Sequence, residues 1–369
     1  MWPRRKSTKS FATGRAWVEI NLENLRHNVT VLKGMLPSEC QLMPAVKANA
    51  YGLGAVRLCK ELNRLGIRAF CVATALEGAE LRKGGVKGEI LILGYTHPKQ
   101  LDLVKRYRLM QTVVDYQYAQ TLRNYGKRLT VHLAIDTGMG RLGESAHNLE
   151  SILEVFTYNN LNVEGIFTHL SAQSKDYTHT QVALFSELLN GLEGRGVGAL
   201  KAHLQSSYGI LHCPGLNYAY ARVGIALYGA ANHDELKPVL SIKARVSVVK
   251  TVAAGQAIGY GLGFIAPKDM KIAVISIGYG DGLPRALSCG VGMVLIHGAR
   301  ASILGYVCMD QTIVDVSSIN RVYQGDTAVI LGKSGALEMS AESIAKQLQT
   351  VPNEILSRLG TRLTRVYTH

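Results

Sequence analysis

Short apolar runs rich in β-forming residues recur along the first two thirds of the chain. Each is followed by a stretch whose apolar positions return every three or four residues. In order the runs read PAVKAN, FCVAT, EILILG, QTVVD, VHLAID, VEGIFTHL, KAHLQSS and ARVGIALYG. Between them, AVRLCKELNRLG, ALEGAELRKGG, KQLDLVKRY, YAQTLRNYG and HTQVALFSELLNGLEGRG predict amphipathic helices. Near-continuous apolar strands alternating with helices read as βα units on a parallel sheet. Eight such runs in succession predict an α/β protein built on a (β/α)8 TIM-like barrel. An open doubly wound sheet fits less well, because no G-x-G-x-x-G follows the first run.

After about Lys237 the pattern changes. SIKARVSVVKTV, KIAVISIG, GMVLIHG, RASILGYV, TIVDVSS and DTAVILG predict strands separated by Gly, Asp and Pro turns, with one helical stretch, SAESIAKQLQ. The expected organisation is a basic linker at 1–15, a barrel domain at 16–238 and a mostly-β C-terminal domain at 239–369. The early run RAWVEINL precedes the barrel, and pairing with the β-domain is one reading of it.

Composition narrows the class. Of 369 residues, 47% are hydrophobic and 18% charged, a folded-protein balance. No apolar run approaches the about 18 residues of a membrane span. The start, MWPRRKSTKSFATGR, has the positive flank of a signal peptide without an apolar stretch behind it, so a cytoplasmic location is expected. Arg4, Arg5, Lys6, Lys9 and Arg15 gather positive charge there, within a formal net charge of +14. A solvated linker is the plain reading. The functional one is a juxtamembrane segment on the cytoplasmic side, with a membrane domain ahead of it. Nucleic-acid binding is disfavoured, since aromatic residues make up only 7% and no recognition motif accompanies the charge. Six cysteines without C-x-x-C pairing and 11 histidines without ligand spacing support neither a disulfide frame nor a metal site.

Barrels of this kind carry their chemistry at the C-terminal ends of the strands. Lys47 and Tyr51 follow the first run, Arg141 the fifth, and His169 falls in the sixth. Ser206 and Ser207 end the seventh, and Arg222 with Gly224 falls in the eighth. Singly, each is what a solvated lysine, a core histidine or an ordinary turn would supply. Their shared rim is what points to a site. The set suits pyridoxal 5'-phosphate: a lysine amine to form an imine, and the Ser207 and Tyr51 hydroxyls with backbone N–H groups near Gly224 as phosphate donors. An arginine beside the pyridine nitrogen would leave that nitrogen largely unprotonated, because guanidinium does not give up its proton.

AVKANAYGLG, DTGMGRLG, THLSAQS, ARVGIALYG, IGYGLGF, SIGYGDGLPR and GYVCMDQ together resemble the bacterial alanine racemases, fold-type III pyridoxal phosphate enzymes. The resemblance runs from AWVEINLENLRHNV to RLGTRLTRVY, nearly the whole chain. It implies that Lys47 holds the cofactor and acts as base on one face of the substrate, with Tyr260 as the opposing base. It also implies a head-to-tail homodimer, because in this family that tyrosine comes from the partner subunit. Tyr51, Ser207, Gly224 and Ile225 would surround the phosphate, with Tyr279 near substrate entry. Arg222 would face the pyridine nitrogen with His169 behind it. Arg141 would orient the cofactor's phenolic oxygen, and Met309 would offer a backbone N–H to the substrate carboxylate.

Three positions depart from the family pattern. Ala134 stands where many members have a lysine that becomes carbamylated and braces the arginine, so another group or an anion is expected to hold Arg141. Leu53 replaces the usual histidine of YGHG. Asn353, in TVPNEIL, stands where a tyrosine normally narrows the substrate pocket. Asparagine is shorter and can both donate to and accept from a hydroxyl, which favours serine as a substrate beside alanine. In this the chain is most similar to the catalytic domain of the membrane-bound serine/alanine racemases of vancomycin-resistance operons. The resemblance thus implies a racemase supplying D-amino acid for peptidoglycan precursors. A housekeeping alanine racemase is the plainer alternative. A fold-type III decarboxylase would place an acid, not Arg222, at the pyridine nitrogen. A non-catalytic pyridoxal phosphate-binding barrel would lack the second domain and Tyr260.

Overall fold

The computed structural model describes residues 13–171 and 174–369. The expectations placed on the basic residues Arg4, Arg5, Lys6 and Lys9 lie outside the described residues. The chain divides into two compact units. One comprises residues 29–50 and 55–227; the other takes the described residues up to Asn28, then 51–54 and 228–369.

In the first unit eight parallel strands follow the order Gln41–Leu42, Tyr220–Ala221, Lys201–His203, Leu161–Phe167, Leu129–Asp136, Met110–Val113, Glu89–Ile92, Ala69–Val72. The two ends of that list meet. Val46 N donates to Cys71 O at 2.8 Å, Cys71 N donates to Pro44 O at 2.8 Å, and Ala45 bridges Cys71 in parallel, so the sheet closes into the expected barrel. Met43, Ala45, Ala69, Cys71, Leu91, Met110, Ala134, Phe167 and Tyr220 pack into one buried cluster. Small residues on neighbouring strands leave room there for the two large rings, as a filled barrel interior requires.

Helices return between the strands where the sequence signals them. Ala75–Lys83 opens on a capping box in which the Thr74 side chain accepts from Glu77 N and the Glu77 side chain accepts from the cap backbone. Tyr116–Tyr125 is capped by Asp115 and Lys175–Gly194 by Ser174. The latter buries Thr178, Gln181, Phe185, Leu188 and Leu192 at helical spacing. The helix Leu149–Phe156 was not among the expected stretches.

Several strand ends differ from expectation. PAVKAN is not a strand through Asn49; the extended chain stops at Val46 and turns at Lys47. His169 lies two residues beyond its strand, which ends at Phe167. Ser207 begins the helix Ser207–His212, with Ser206 at its N-cap, and Arg222 follows the two-residue strand Tyr220–Ala221. In each case the chain leaves the ladder early because the next residues spend their backbone groups or side chains on the rim.

The second unit is a nine-stranded sheet. Ala16–Asn21 lies antiparallel to Leu240–Val252, with Val18 opposite Ile242, and parallel to Thr364–Thr368, with Val18 opposite Arg365. Leu240–Val252 also pairs with Met270–Ile275 and with Thr327–Ser334, which makes it the spine of the unit. Two helices, Ala341–Gln347 and Pro352–Ser357, replace the single one expected. Arg15 corrects the linker reading. Its guanidinium reaches the fully buried Asp281 at 2.6 Å and Ser276 O at 2.8 Å, so it is a fixed part of this unit. Among the described residues no helix is long and apolar enough to cross a membrane, and no group of His, Cys, Asp or Glu could hold a metal ion.

Candidate active site

Lys47 stands where the closing strand ends, and the four residues after it are left-handed. Ala48, Asn49, Ala50 and Tyr51 have φ of 51°, 55°, 53° and 53°. For residues with a Cβ this costs roughly 1–2 kcal/mol each, and of the four only asparagine visits the region readily. The turn persists because it is held from several sides. Ala50 N donates to Val46 O at 2.8 Å, Asn49 Oδ1 accepts from Ala55 N at 2.8 Å, and Ala48 N donates to Glu77 Oε1 at 2.7 Å. Lys47 is half-buried, and its amine makes no hydrogen bond or ion pair with a described residue. Tyr51 is buried, its ring 5.0 Å from that of Tyr228.

Arg222 is buried and has no carboxylate partner among the described residues. Its Nη1 donates to His203 Nδ1 at 2.6 Å and His203 O at 3.0 Å; its Nη2 reaches Thr168 O at 2.6 Å and His169 Nδ1 at 3.2 Å. Its face lies over the Phe167 ring at 4.8 Å. Four of the five guanidinium N–H groups are thereby used on neutral acceptors, and the Nε–H has no partner among the described residues. Burial pulls Arg222 down to about 10, with Cys71 opposing and Arg141 assisting, so it remains cationic at neutral pH. Burial, then the charges of Arg222, Arg141 and Lys47, push His169 down to about 3. Those three cations therefore share one neighbourhood with His169. Cys71 faces the same charges, but burial outweighs Arg222 and Lys47 and raises its thiol to about 12.

Ser207 is buried, and its Oγ accepts from Gly224 N at 3.0 Å and Ala226 N at 3.2 Å. Both contacts use the oxygen's lone pairs and leave the hydroxyl proton to be donated. Ile225 starts the turn Ile225–Tyr228 beside it. Arg141 is exposed and forms no hydrogen bond or ion pair with a described residue, so no described side chain takes the bracing role. Ala134 lies inside the barrel cluster.

The remaining expected residues belong to the β unit. Tyr279 N donates to Cys308 O at 3.0 Å and Gly280 N to Met309 O at 2.9 Å, which places Tyr279 and Met309 on adjoining loops. Arg362 ties both loops, reaching Asp281 Oδ1 through Nε at 3.1 Å and Asp310 Oδ1 through Nη1 at 2.8 Å. Tyr260 projects from a turn between Gly259 and Gly261, both at positive φ, and is 71% exposed. Asn353 is half-buried in the helix Pro352–Ser357. Leu53 is fully buried, and its carbonyl accepts from the Tyr367 hydroxyl at 2.9 Å. The structure brings Tyr279 and Met309 together, and among the described residues no hydrogen bond joins either to Tyr260 or Asn353.

His203, His132, Thr168 and Glu77 were not among the residues expected from the sequence. The first two were legible as polar residues inside the apolar runs KAHL and VHLAID, and Glu77 as the last letter of a T-x-x-E box.

A closed parallel barrel with a rim lysine, followed by a mostly-β unit, is the fold class of the alanine racemases. The chain belongs to the alanine racemase family. Residues 20–232 match the alanine racemase N-terminal domain and residues 239–367 the C-terminal domain. It is 40% identical to an alanine racemase of Carboxydothermus hydrogenoformans, over 95% of this chain and 99% of that one. It is 38% identical to an amino-acid racemase of Enterococcus faecalis, over 97% of this chain but 52% of that protein. It is 36% identical to a serine/alanine racemase of Enterococcus gallinarum, over 98% of this chain and 53% of that one. The chain thus spans about half the length of these two Enterococcus relatives.

Among solved structures, alanine racemase of Clostridium difficile 630 aligns with a TM-score of 0.89 at 32% identity, over 96% of each chain. Alanine racemase of Bartonella henselae with covalently bound pyridoxal phosphate aligns at 0.84 and 28% identity, over 96% of this chain and 100% of that one. The family is pyridoxal phosphate-dependent, and its named members are isomerases. The residues present fit that group: an unused Nε–H on Arg222 suits an unprotonated ring nitrogen, and a free Ser207 proton suits a phosphate oxygen.

Proposed function

We propose that the chain is a pyridoxal phosphate-dependent racemase interconverting the L- and D-forms of serine and of alanine. The observation that carries this is Arg222, buried and bound only to neutral acceptors, with its Nε–H left over. A carboxylate there would strengthen the electron sink and suit decarboxylation; a guanidinium weakens it and suits a proton that leaves and returns. When bound, the cofactor supplies the electron sink that acidifies the substrate's Cα–H.

The chain's own residues then do the rest. Lys47 anchors the cofactor and exchanges the Cα proton on one face. Tyr260 exchanges it on the other, because inversion at a planar carbon needs a base on each side. Ser207, Gly224, Ile225 and Tyr51 hold the phosphate, with Arg222 and His169 at the ring. Arg141 and the Met309 backbone orient the substrate carboxylate region, with Tyr279 and Asn353 lining the entry. Tyr260, Leu262, Ile265, Tyr279 and Met309 are all exposed on the β unit, which supports their burial in a head-to-tail homodimer.

Serine activity rests on Asn353. A half-buried asparagine in place of a tyrosine leaves both space and hydrogen-bonding groups for a side-chain hydroxyl. The Enterococcus gallinarum relative, named a serine/alanine racemase, supports the same reading; D-amino-acid supply for peptidoglycan in a vancomycin-resistance setting is the role we propose with it. A membrane domain ahead of this chain belongs to that reading. The 40% identity to the Carboxydothermus hydrogenoformans protein, named an alanine racemase, supports the alternative, alanine racemisation alone. Racemisation of L-serine and L-alanine, followed by chiral product analysis, separates the two: D-serine formation supports the first, and D-alanine alone the second.

A further inference from the structure

We propose that Glu77 is a positioning residue for Lys47, one carboxylate joining the amide that follows the lysine to the cap of a neighbouring barrel helix. This rests on the reading of Lys47 as the cofactor lysine. The geometry brackets Lys47 between two tethers to one segment. The residue before it, Val46, donates through N to Cys71 O at 2.8 Å. The residue after it, Ala48, donates through N to Glu77 Oε1 at 2.7 Å. From Cys71 to Glu77 the chain is itself rigid: a barrel strand through Val72, then the capping box that opens the helix Ala75–Lys83. The other carboxylate oxygen of Glu77 belongs to that box, accepting from Ala73 N at 2.7 Å and Thr74 N at 3.3 Å.

The arrangement answers the difficulty of the left-handed turn. Two of its hydrogen bonds are local, from Ala50 N to Val46 O and from Ala55 N to Asn49 Oδ1. Neither holds the N–H of the peptide between Lys47 and Ala48. Glu77 does, from 29 residues away, and with a charged acceptor that makes the bond stronger than a neutral one. A glutamate can serve both directions because each oxygen accepts; a glutamine has a single acceptor oxygen and must turn its NH2 toward one of the two sets of N–H groups. Glu77 is assigned no contact with cofactor or substrate. It acts through the backbone of Lys47.

The test compares wild type, Glu77→Gln and Thr74→Ala as cofactor-loaded proteins. Thr74→Ala weakens the same helix cap without reaching Ala48, so it serves as the stability control. Three quantities are read: the rate at which hydroxylamine removes the cofactor, followed by its visible absorbance; hydrogen exchange at the Ala48 amide; and kcat and KM for L-alanine. Glu77→Gln is expected to lose cofactor to hydroxylamine on the order of ten-fold faster and to lower kcat about ten-fold with KM held, since small misplacements of a reacting group carry such penalties. Its Ala48 amide should exchange faster, whereas Thr74→Ala should match wild type in all three despite a lower Tm. Equal hydroxylamine rates in the two variants, or an unchanged Ala48 amide in Glu77→Gln, would overturn the proposal. A wild type with no visible band removable by hydroxylamine would instead end the Lys47 reading, and this proposal with it.

Discussion

Arg222 Nη1 lies 2.6 Å from His203 Nδ1, and that contact fixes a chain of tautomers. A guanidinium only donates, so His203 Nδ1 must accept and the proton must sit on Nε2. His203 Nε2 is 2.8 Å from His132 Nδ1, which then accepts in turn and leaves His132 protonated at Nε2. His132 Nε2 is buried without a partner among the described residues. Both imidazoles are therefore neutral, and their neutrality is what lets a buried cation stand without a carboxylate.

The pH dependence follows. Burial foremost, then Lys201 and Arg222, lowers His132 to about 3; burial, then Arg222 and His132, holds His203 well below the usual histidine range. With His169 also at about 3, all three fold with depressed values. The unfolded chain then binds more protons below its ordinary histidine pKa of about 6.5. Stability should be fully present above that pH and fall as pH drops toward 3, by roughly 1.4 kcal/mol per pH unit for each histidine. Urea unfolding across this range measures the slope. His132→Gln should make it shallower by about one proton's worth.

The buried Asp281 gives a separate stability prediction. Arg15 reaches it at 2.6 Å and Arg362 at 3.1 Å, and both arginines are partly exposed. Removing either alone leaves the other to pair with the carboxylate. Arg15→Ala with Arg362→Ala should cost about 3–5 kcal/mol, more than the two single losses together, because it strands a buried charge. A double-mutant cycle by denaturant unfolding checks the non-additivity.

Much of this was legible in the sequence. The alternation of βα runs gave the barrel, and separated motifs gave Lys47, Arg222 and Ser207 their places. What escaped was set by non-local contacts. Nothing in KANAY announces four left-handed residues, since alanine and tyrosine disfavour that region; the turn is imposed through Val46, Ala55 and Glu77. The strand Thr364–Thr368 forms because Ala16–Asn21 lies beside it, about 350 residues earlier in the chain. The helix Pro352–Ser357 was readable, by contrast: proline at its start is a helix-opening signal.

Asn353→Tyr should shift substrate preference without disturbing the fold, since the site is half-buried on a helix surface. The ratio of kcat/KM for serine over alanine is expected to fall about 10-fold or more, the range over which a hydrogen-bonding site discriminates a hydroxyl. An unchanged ratio would assign serine recognition elsewhere.

Tyr260→Phe removes the proposed second base while keeping the ring. Its kcat should drop by about 100-fold or more in both directions, the usual contribution of a positioned acid–base group. The cofactor's visible band should survive, because Lys47 is untouched. Steady-state racemisation with absorbance of the loaded variant measures both.

The central claim, that Lys47 and Tyr260 pass a proton across the two faces of one carbon, is tested most directly by incubating the wild-type protein with L-alanine or L-serine in deuterium oxide and resolving the products by chirality and mass. The D-enantiomer with deuterium at Cα is expected, and no such product from Lys47→Ala. Loss of the carboxylate with formation of an amine, or inversion without deuterium uptake even at long times, would contradict it.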